Sequence, residues 1–307
     1  MMRVVVVVGN ATVDVIQRVE RFARPGETLL CSAMVVCAGG KGLNQAIAAA
    51  RTAAPTRLHA PAAADTHGEL LARAAAAESG LEVDWLAGAP PTDSSTIWID
   101  AAGENMIVSA AAAAASVDAA QAAAACASLG AGDVLLMQGN LSHAATAAAI
   151  AQARSNGART VLNTAPMRPW MLALMPGVDV VIANAIEAAE LSGHHDDPEA
   201  ALLRVGARAA VVSRGRDGAV LATQHGRFKV DAAVVTAVDT AGAGDVLAGT
   251  LAGLLAQGSP LEAALQVAVA AASLSVTRPG TTPSFPSRDE IVALCAAHGA
   301  RLNLRDA

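Results

Sequence analysis

Two aspartates flank a glycine-rich turn late in the chain, in the segment Asp239-Thr240-Ala241-Gly242-Ala243-Gly244-Asp245. The apolar run 233–238 before it favours a strand, and the run 246–256 after it favours a helix. Glycines let backbone N–H groups converge on one point and a helix N-terminus adds partial positive charge, so the turn predicts an anion site. Asp245 lies beside that site at the helix start, where a carboxylate is electrostatically favoured. An anion cradle next to a fixed base indicates phosphoryl transfer to a hydroxyl.

A structural interpretation of the same segment stays open, because Asp is a common N-cap and Gly before a helix often marks only a tight turn. The segment is not a familiar nucleotide fingerprint, since Gly-Lys-Ser/Thr is absent and the pair Gly242-x-Gly244 lacks a third glycine at the expected offset. Evidence for function is therefore needed from elsewhere in the chain.

A second constellation, Ala38-Gly39-Gly40-Lys41-Gly42-Leu43-Asn44-Gln45-Ala46, opens a predicted helix that continues through Arg51. Its glycines permit close backbone approach, and Lys41 and Asn44 offer donors and an acceptor suited to vicinal hydroxyls. Asp14 follows the first predicted strand and adds a carboxylate acceptor to the same pocket. Together with the late turn, these residues predict a polyol-binding site.

The elements that must position these residues alternate between short apolar runs and Ala-rich helical stretches. This alternation predicts a mainly parallel sheet covered on both faces, with ligands at the carboxyl ends of its strands. Four further runs, joined pairwise by turns, predict a small β-flap. The predicted central strands are 3–8, 56–60, 133–137, 160–162, 179–182 and 209–213; the flap strands are 13–19, 28–36, 96–99 and 105–108. A hairpin is predicted for 219–222 with 227–230, and helices for 68–79, 117–129, 144–155, 185–192, 261–277 and 287–295.

Composition bounds the class of protein. A chain of 307 residues fits one α/β domain with an appendage as well as two small domains. A formal net charge of −6, with three Phe, three Trp and no Tyr, argues against nucleic-acid binding. We expect no membrane partner, since uninterrupted apolar runs stay below the ~18 residues that a membrane span needs, and the run 4–8 favours a first buried strand over a signal peptide. Four scattered cysteines suit a reducing cytoplasm.

The number and order of these motifs resemble the ribokinase-like sugar kinases of the PfkB carbohydrate kinase family over nearly the whole chain. Gly9 to Asp14 resembles the family's first sugar-binding turn, Gly39 to Gln45 its Gly-Gly-Lys-Gly-x-Asn-Gln motif, and Asp239 to Asp245 its catalytic motif. Asn184-Ala185-Ile186-Glu187 resembles the Asn-x-x-Glu motif associated with Mg²⁺, and Asn163-Thr164-Ala165-Pro166 the motif that commonly precedes it.

The resemblance implies an α/β fold, a three-layer sandwich with a mainly parallel central sheet, as a single domain over 1–307. It also implies a small β-sheet lid, inserted as 13–36 and 95–109, through which similar kinases commonly form homodimers.

Roles carried over from the family make Asp245 the general base and place the γ-phosphate on the backbone N–H groups of Gly242, Ala243 and Gly244. The sugar-binding set implied is Thr12, Asp14, Gly40, Lys41, Gly42, Asn44, Asn140 and Asp245. The implied ATP-binding set is Asn184, Ser213, Arg214, Gly215, Arg216, Gly218 and Gly244. Mg²⁺ would be held mainly through water by Asn184 and Glu187, although a pure N-cap role for Asn184 stays open. A K⁺ site would use mostly backbone oxygens of Asp239, Ala241, Ser275, Arg278, Gly280 and Ser284.

Three departures from the family pattern bear on the substrate. Thr12 stands where ribokinases usually carry Asn, Asn140 stands where they often carry Glu, and alanines fill 110–115 in place of Gly-Ala-Asn. An amide in place of a carboxylate can donate as well as accept, so the anomeric end of the sugar would be read differently. The expected function is ATP-dependent phosphorylation of the primary hydroxyl of D-ribose. A nucleoside kinase with Trp98 as a stacking surface, a hexose or keto-sugar kinase, and a sugar-binding regulatory protein remain alternatives.

Overall fold

A computed structural model describes residues 3–302. In this range thirteen strands form a large and a small sheet. In chain order they are β1 (Val5–Val8), β2 (Thr12–Arg18), β3 (Ala33–Gly39), β4 (Thr56–Pro61), β5 (Leu81–Leu86), β6 (Ser94–Ile99), β7 (Asn105–Ser109), β8 (Val134–Met137), β9 (Arg159–Asn163), β10 (Val180–Asn184), β11 (Ala209–Ser213), β12 (Ala219–Thr223) and β13 (Gly226–Val230).

The large sheet has nine strands in the order β13-β12-β11-β10-β9-β8-β1-β4-β5. The seven strands from β11 to β5 are parallel, and the hairpin of β12 and β13 adds antiparallel strands at one edge. The predicted mainly parallel sheet is confirmed. The small sheet, in the order β3-β2-β6-β7, is the lid, and it pairs β2 with β6 in parallel and its other neighbours antiparallel.

Helices cover both faces of the large sheet. They are α1 (Lys41–Ala50), α2 (Thr66–Ala76), α3 (Ala112–Ser116), α4 (Ala119–Ala125), α5 (His143–Ser155), α6 (Ala185–Ser192), α7 (Pro198–Arg204), α8 (Ala243–Ala256), α9 (Leu261–Ser275) and α10 (Arg288–His298). Val5 and Val7 of β1 pack in the core with α1, α8 and α9, whereas Val6 and Val8 pack in the core with α4 and α5. This alternation gives the three layers. Within the described range, no helix is both long and apolar enough to cross a bilayer.

Helix α7 was not predicted, several helix ends differ by two to four residues, and three differences concern strands. No strand forms over 233–238, where Val234 and Val238 are exposed. The run is rich in β-branched residues, but it follows the edge strand β13 and has no partner strand there. The lid strand predicted from residue 28 begins only at Ala33, and Leu30 is exposed. Strand β5 was not predicted, because the central strands were predicted from continuous apolar runs. In β5 apolar residues alternate with exposed Glu82 and Asp84, as in a half-covered edge strand.

Candidate active site

The turn before α8 adopts the geometry that its glycines suggest. Gly242 has φ +78°, and a Cβ there would lie 2.7 Å from the Phe285 ring and 2.8 Å from Cγ2 of Thr281. A larger residue would therefore be both strained and crowded. The N–H of Ala243 already donates to the carbonyl of Thr240 at 3.3 Å, so this predicted phosphate donor has a partner within the turn.

The glycine-rich start of α1 packs directly on the turn after β1. The N–H of Gly42 donates to Oδ1 of Asn10 at 3.2 Å, and a Cβ on Gly42 would lie 2.6 Å from the Asn10 carbonyl. Gly40 has φ +92° and would place a Cβ 2.8 Å from the Thr12 nitrogen. These contacts require glycine, and they bring the two predicted sugar-binding segments together. Lys41 is the first, half-buried residue of α1.

Asp14 lies in the same pocket. Its Oδ1 accepts a hydrogen bond from the Thr12 hydroxyl at 3.0 Å, and its Oδ2 faces Gly39, where a Cβ would lie 2.1 Å away. Burial raises the pKa of Asp14; hydrogen bonds from Thr12 and Ser95 oppose the shift, and the negative charge of Asp245 adds to it. Asp14 and Asp245 thus influence each other electrostatically, although they come from opposite ends of the chain.

Asp245 lies in the first turn of α8 and is only 5% exposed. Its Oδ2 accepts from Nδ2 of Asn44 at 3.0 Å, and its Oδ1 accepts from Nε2 of Gln45 at 2.9 Å. Both donors belong to α1, so the proposed base is joined to the sugar-binding motif by two hydrogen bonds. Gln45 had no predicted role; the signal in the sequence was its place directly after Asn44 in the Gly39 to Gln45 motif, and the structure shows its amide fully buried in α1.

Two glycines of α8 allow this contact between helices. A Cβ on Gly249 would lie 2.3 Å from the carbonyl of Gln45, and a Cβ on Gly253 would lie 2.2 Å from Oγ1 of Thr52. Since neither position has room for a side chain, the backbones of α8 and α1 approach closely. The close approach is what places Asp245 within hydrogen-bonding distance of Asn44 and Gln45.

Six buried side-chain nitrogen or oxygen atoms have no hydrogen-bond partner within residues 3–302, and two of them, Oδ1 of Asn44 and Oδ1 of Asn140, belong to the predicted sugar-binding set. A buried acceptor without a donor costs free energy. Sugar hydroxyls are donors, so a bound polyol would supply the missing bonds.

Asn184 and Glu187 form a reciprocal capping box at the start of α6, so the N-cap role that was left open for Asn184 is present. The N–H of Glu187 donates to Oδ1 of Asn184 at 2.8 Å, and Oε2 of Glu187 accepts from the N–H of Asn184 at 3.1 Å. Oε2 also accepts from the Thr164 hydroxyl at 3.0 Å, which links the two predicted motifs. No cluster of three His, Cys, Asp or Glu side chains suited to a metal occurs in the described part of the chain. Glu187 offers one carboxylate, an oxygen ligand of the kind that Mg²⁺ accepts while it keeps several waters, and a Mg²⁺ site there stays a prediction.

The predicted nucleotide loop follows β11. Gly218 has φ +86° and would place a Cβ 1.9 Å from the carbonyl of Val230, so only glycine fits there. Ser213 is the last residue of β11, and Gly215 and Arg216 are exposed. The Arg214 guanidinium forms an ion pair with buried Glu199 rather than extending from the loop. Contact of Arg214 with ATP stays a prediction.

The predicted K⁺ site joins two loops through Asp239. Its Oδ1 accepts from the N–H of Ala241 at 2.9 Å, and its Oδ2 accepts from the N–H of Gly280 at 3.0 Å. Ser275 and Ser284, on either side of Gly280 in the sequence, are buried. The Arg278 guanidinium pairs with Glu290. A K⁺ site at this place stays a prediction.

Trp98 does not face the sugar pocket. Its Nε1 donates to Oε1 of Gln17 at 2.7 Å. Gln17 lies three residues after Asp14 on β2, and alternate residues of a strand face opposite sides, so Trp98 and Gln17 share the face away from Asp14. The structure therefore contradicts the interpretation of Trp98 as a stacking surface for a nucleoside base.

The fold and this arrangement are those of a carbohydrate kinase. The model of the pfkB family of carbohydrate kinases matches residues 2–288, and the chain belongs to that family. It is 29% identical to the ribokinase of Haemophilus influenzae over 94% of this chain and 97% of the relative, and 29% identical to the deoxyribokinase of Salmonella typhi over 93% and 96%. It also resembles the structure of Arabidopsis thaliana ribokinase complexed with ribose and ATP, with a TM-score of 0.83 and 25% identity over 96% of this chain and 99% of that one.

Proposed function

We propose that this protein transfers the γ-phosphoryl group of ATP to the primary hydroxyl of an aldopentose, D-ribose first, giving ribose 5-phosphate. The observation that carries the proposal is the position of Asp245. Its carboxylate lies at the N-terminus of α8 beside the glycine turn, and both of its oxygens are bonded to side chains of the sugar-binding motif. A base, an anion site and a polyol pocket thus share one location.

In the proposed reaction, Asp245 accepts the proton of the primary hydroxyl while the oxygen attacks the γ-phosphorus of ATP. The P–O bond to the β-phosphate breaks, and ADP leaves with that electron pair. The glycine turn would stabilise the charge that develops on the transferred group, because its N–H groups and the α8 dipole are fixed before the reaction. The hydroxyl would be positioned by Asn44 and Asp14, whose side-chain oxygens accept from neighbouring hydroxyls.

ATP would bind along the carboxyl edge of β10 and β11, next to the Asn184 capping box and the loop that follows Ser213. Glu187 would hold the water shell of Mg²⁺, and when bound that ion neutralises phosphate charge. The bond from Thr164 to Glu187 supports the arrangement, since it fixes the carboxylate that the hydrated ion would contact.

D-Ribose is favoured over a nucleoside because Trp98 lies on the far face of the lid and stacks on nothing at the sugar pocket. 2-Deoxyribose is the second candidate, since the similarity to a deoxyribokinase is as high as that to a ribokinase. An ADP-release assay over ribose, 2-deoxyribose, fructose, adenosine and pseudouridine separates these substrates. We expect the highest kcat/KM with ribose. A higher value for any other compound would correct the substrate, and failure of every sugar would favour a regulatory sugar-binding protein.

Replacement of Asp245 by Asn tests the base. The amide keeps the size of the side chain but cannot accept the proton. We expect kcat to fall by about 10³-fold or more, at or above the middle of the usual range for a general base because the carboxylate also aligns the hydroxyl, with ATP affinity retained. Unchanged thermal stability serves as the control for folding. Substantial turnover by this variant would falsify the assignment.

The lid supports a homodimer as a further part of the proposal. Val35 and Ile107 are 56% and 53% exposed, and apolar area of this kind needs cover from a bound sugar or a second subunit. Light scattering over a concentration series tests it, with a dimer mass expected and a monomer mass at all concentrations contradicting it. The four free cysteines motivate a reducing, cytoplasmic location, which fractionation of cells would check.

A further inference from the structure

The oxygen of Asp245 that does not contact Asn44 is held by a chain of two buried glutamines. Nε2 of Gln45 donates to Oδ1 of Asp245 at 2.9 Å, and Nε2 of Gln138 donates to Oε1 of Gln45 at 2.9 Å. Gln45 is 0% exposed and Gln138 is 1% exposed. Gln45 belongs to the motif Gly39 to Gln45 but has no predicted contact with sugar, nucleotide or cation, and Gln138 belongs to none of the predicted sites, so the role of this chain of hydrogen bonds needs its own explanation.

The polarity of this chain follows from the carboxylate. An ionised carboxylate only accepts, so Gln45 must present its NH₂ group to Asp245 and its carbonyl to the opposite side. The carbonyl then needs a donor, and Gln138 supplies it. The second N–H of the Gln45 amide donates to Oδ1 of Asn163, with 3.4 Å between Nε2 and that oxygen. The Gln45 amide therefore uses both donor positions and its acceptor, and it has one orientation that satisfies its neighbours.

The chain ties the base to the sheet. Gln138 directly follows β8 and Asn163 is the last residue of β9, and both contact Gln45 of α1, so Gln45 connects two strands of the sheet to the Asp245 carboxylate of α8. Gly9, which directly follows β1, leaves space for the Gln138 amide, because a Cβ on Gly9 would lie 2.2 Å from Oε1 of Gln138. Hydrogen bonds in such a buried network strengthen one another and restrict side-chain rotation.

We propose that Gln45, oriented by Gln138, is a positioning residue for the base: it fixes the plane of the Asp245 carboxylate so that a lone pair faces the attacking hydroxyl. The proposal rests on the function proposed for Asp245. Without that contact, the carboxylate is free to rotate away from the hydroxyl.

Gln45→Met is the primary test, because methionine has a similar length and no amide. We expect kcat to fall about 10- to 100-fold, since a carboxylate displaced by about 1 Å loses alignment with the hydroxyl. KM for the sugar should change by less than about threefold, because Gln45 is not among the groups assigned to sugar binding. Gln152→Met on α5, remote from the site, is the matched control and should behave as wild type.

A double variant separates positioning from general structural damage. If Gln45 acts through Asp245, then adding Gln45→Met to Asp245→Asn causes no further loss of kcat. A multiplicative loss, or a Gln45→Met enzyme with wild-type kcat, overturns the inference. Substantial activity of Asp245→Asn alone instead refutes the proposed base, so the two failures are distinguishable.

Gln138→Met is the second variant and decides the matter if Gln45→Met does not fold. It leaves Gln45 in place but removes the donor that orients its amide. We expect the same direction of change at smaller size, with kcat reduced about 3- to 10-fold and KM for the sugar little changed. A Gln138→Met enzyme that folds with unchanged kcat would overturn the relay.

Discussion

Gly249→Ala provides a sharp test of how the fold positions the base. The new Cβ would lie 2.3 Å from the carbonyl oxygen of Gln45 and 2.6 Å from Cβ of Ala48. Contacts between such atoms need more than ~3 Å, so α8 must move away from α1 by about 1 Å. The displacement acts one helical turn from Asp245. Its 2.9 Å bond to Gln45 would then lengthen to about 3.9 Å, which is no longer a hydrogen bond.

The variant should lose activity out of proportion to stability. Overpacking costs about 1–3 kcal/mol, and the better helix propensity of Ala offsets about 1 kcal/mol, which leaves about 0–2 kcal/mol. At ~2.1 cal/mol/K per residue, a chain of 307 residues then loses no more than about 3 °C in Tm. A misplacement of about 1 Å at the base costs about 100-fold in kcat.

The measurements are kcat and KM from the ADP-release assay, with Tm from calorimetry. Gly130→Ala is the matched control, since the nearest atom to its new Cβ, Oδ2 of Asp133, lies at 3.8 Å, an ordinary contact. Gly253→Ala acts one turn farther from the base and should lose less activity than Gly249→Ala. If Gly249→Ala keeps more than about half of the wild-type kcat, the close approach of α8 and α1 does not position the base as we infer.

Three further predictions concern charge and cation. Since burial raises the pKa of Asp14, its ionised form costs stability at neutral pH. Asp14→Asn should therefore raise the Tm of the sugar-free protein at pH 7, with a smaller gain in acid, and it should raise the KM for the sugar about tenfold or more. A lower Tm at pH 7 would contradict this prediction. The hydrogen bond from Arg278 lowers the pKa of Glu290 from 4.5 to about 2, so its stabilisation is present above pH 4.5 and disappears as the pH falls towards 2. Because the pair of Arg278 and Glu290 is partly solvated, Glu290→Gln should lower the free energy of unfolding by less than about 1 kcal/mol at pH 7. Calorimetry should show that this difference from wild type disappears in acid, and a difference that stays constant with pH would contradict the prediction. Replacement of K⁺ by tetramethylammonium should lower kcat several-fold by loosening the loops joined through Asp239, and an unchanged rate would exclude a K⁺ site.

Much of the architecture could be predicted from the chain because local patterns encode it. Buried parallel strands such as β1 are short, continuous apolar runs, and Ala-rich stretches such as the one that forms α5 favour helix over strand. The run 233–238 shows the limit of this reasoning. Its β-branched residues satisfy the local preference for a strand, but strand formation depends on a neighbouring strand with free backbone groups, which a local pattern does not report.

The site divides in the same way. The sequence by itself determined the chemical inventory: the glycine turn, the carboxylates Asp14 and Asp245, the polyol donors and the family. Only the tertiary structure decided which groups meet. Gln45 and Asp245 are 200 residues apart and bond because Gly249 lets two helices touch. Trp98 faces away from the pocket because of the register between β2 and β6. Motifs reflect local requirements of the backbone. Which side chains meet across the pocket depends on differences of a few tenths of an ångström in the packing of separate segments, which no single segment specifies.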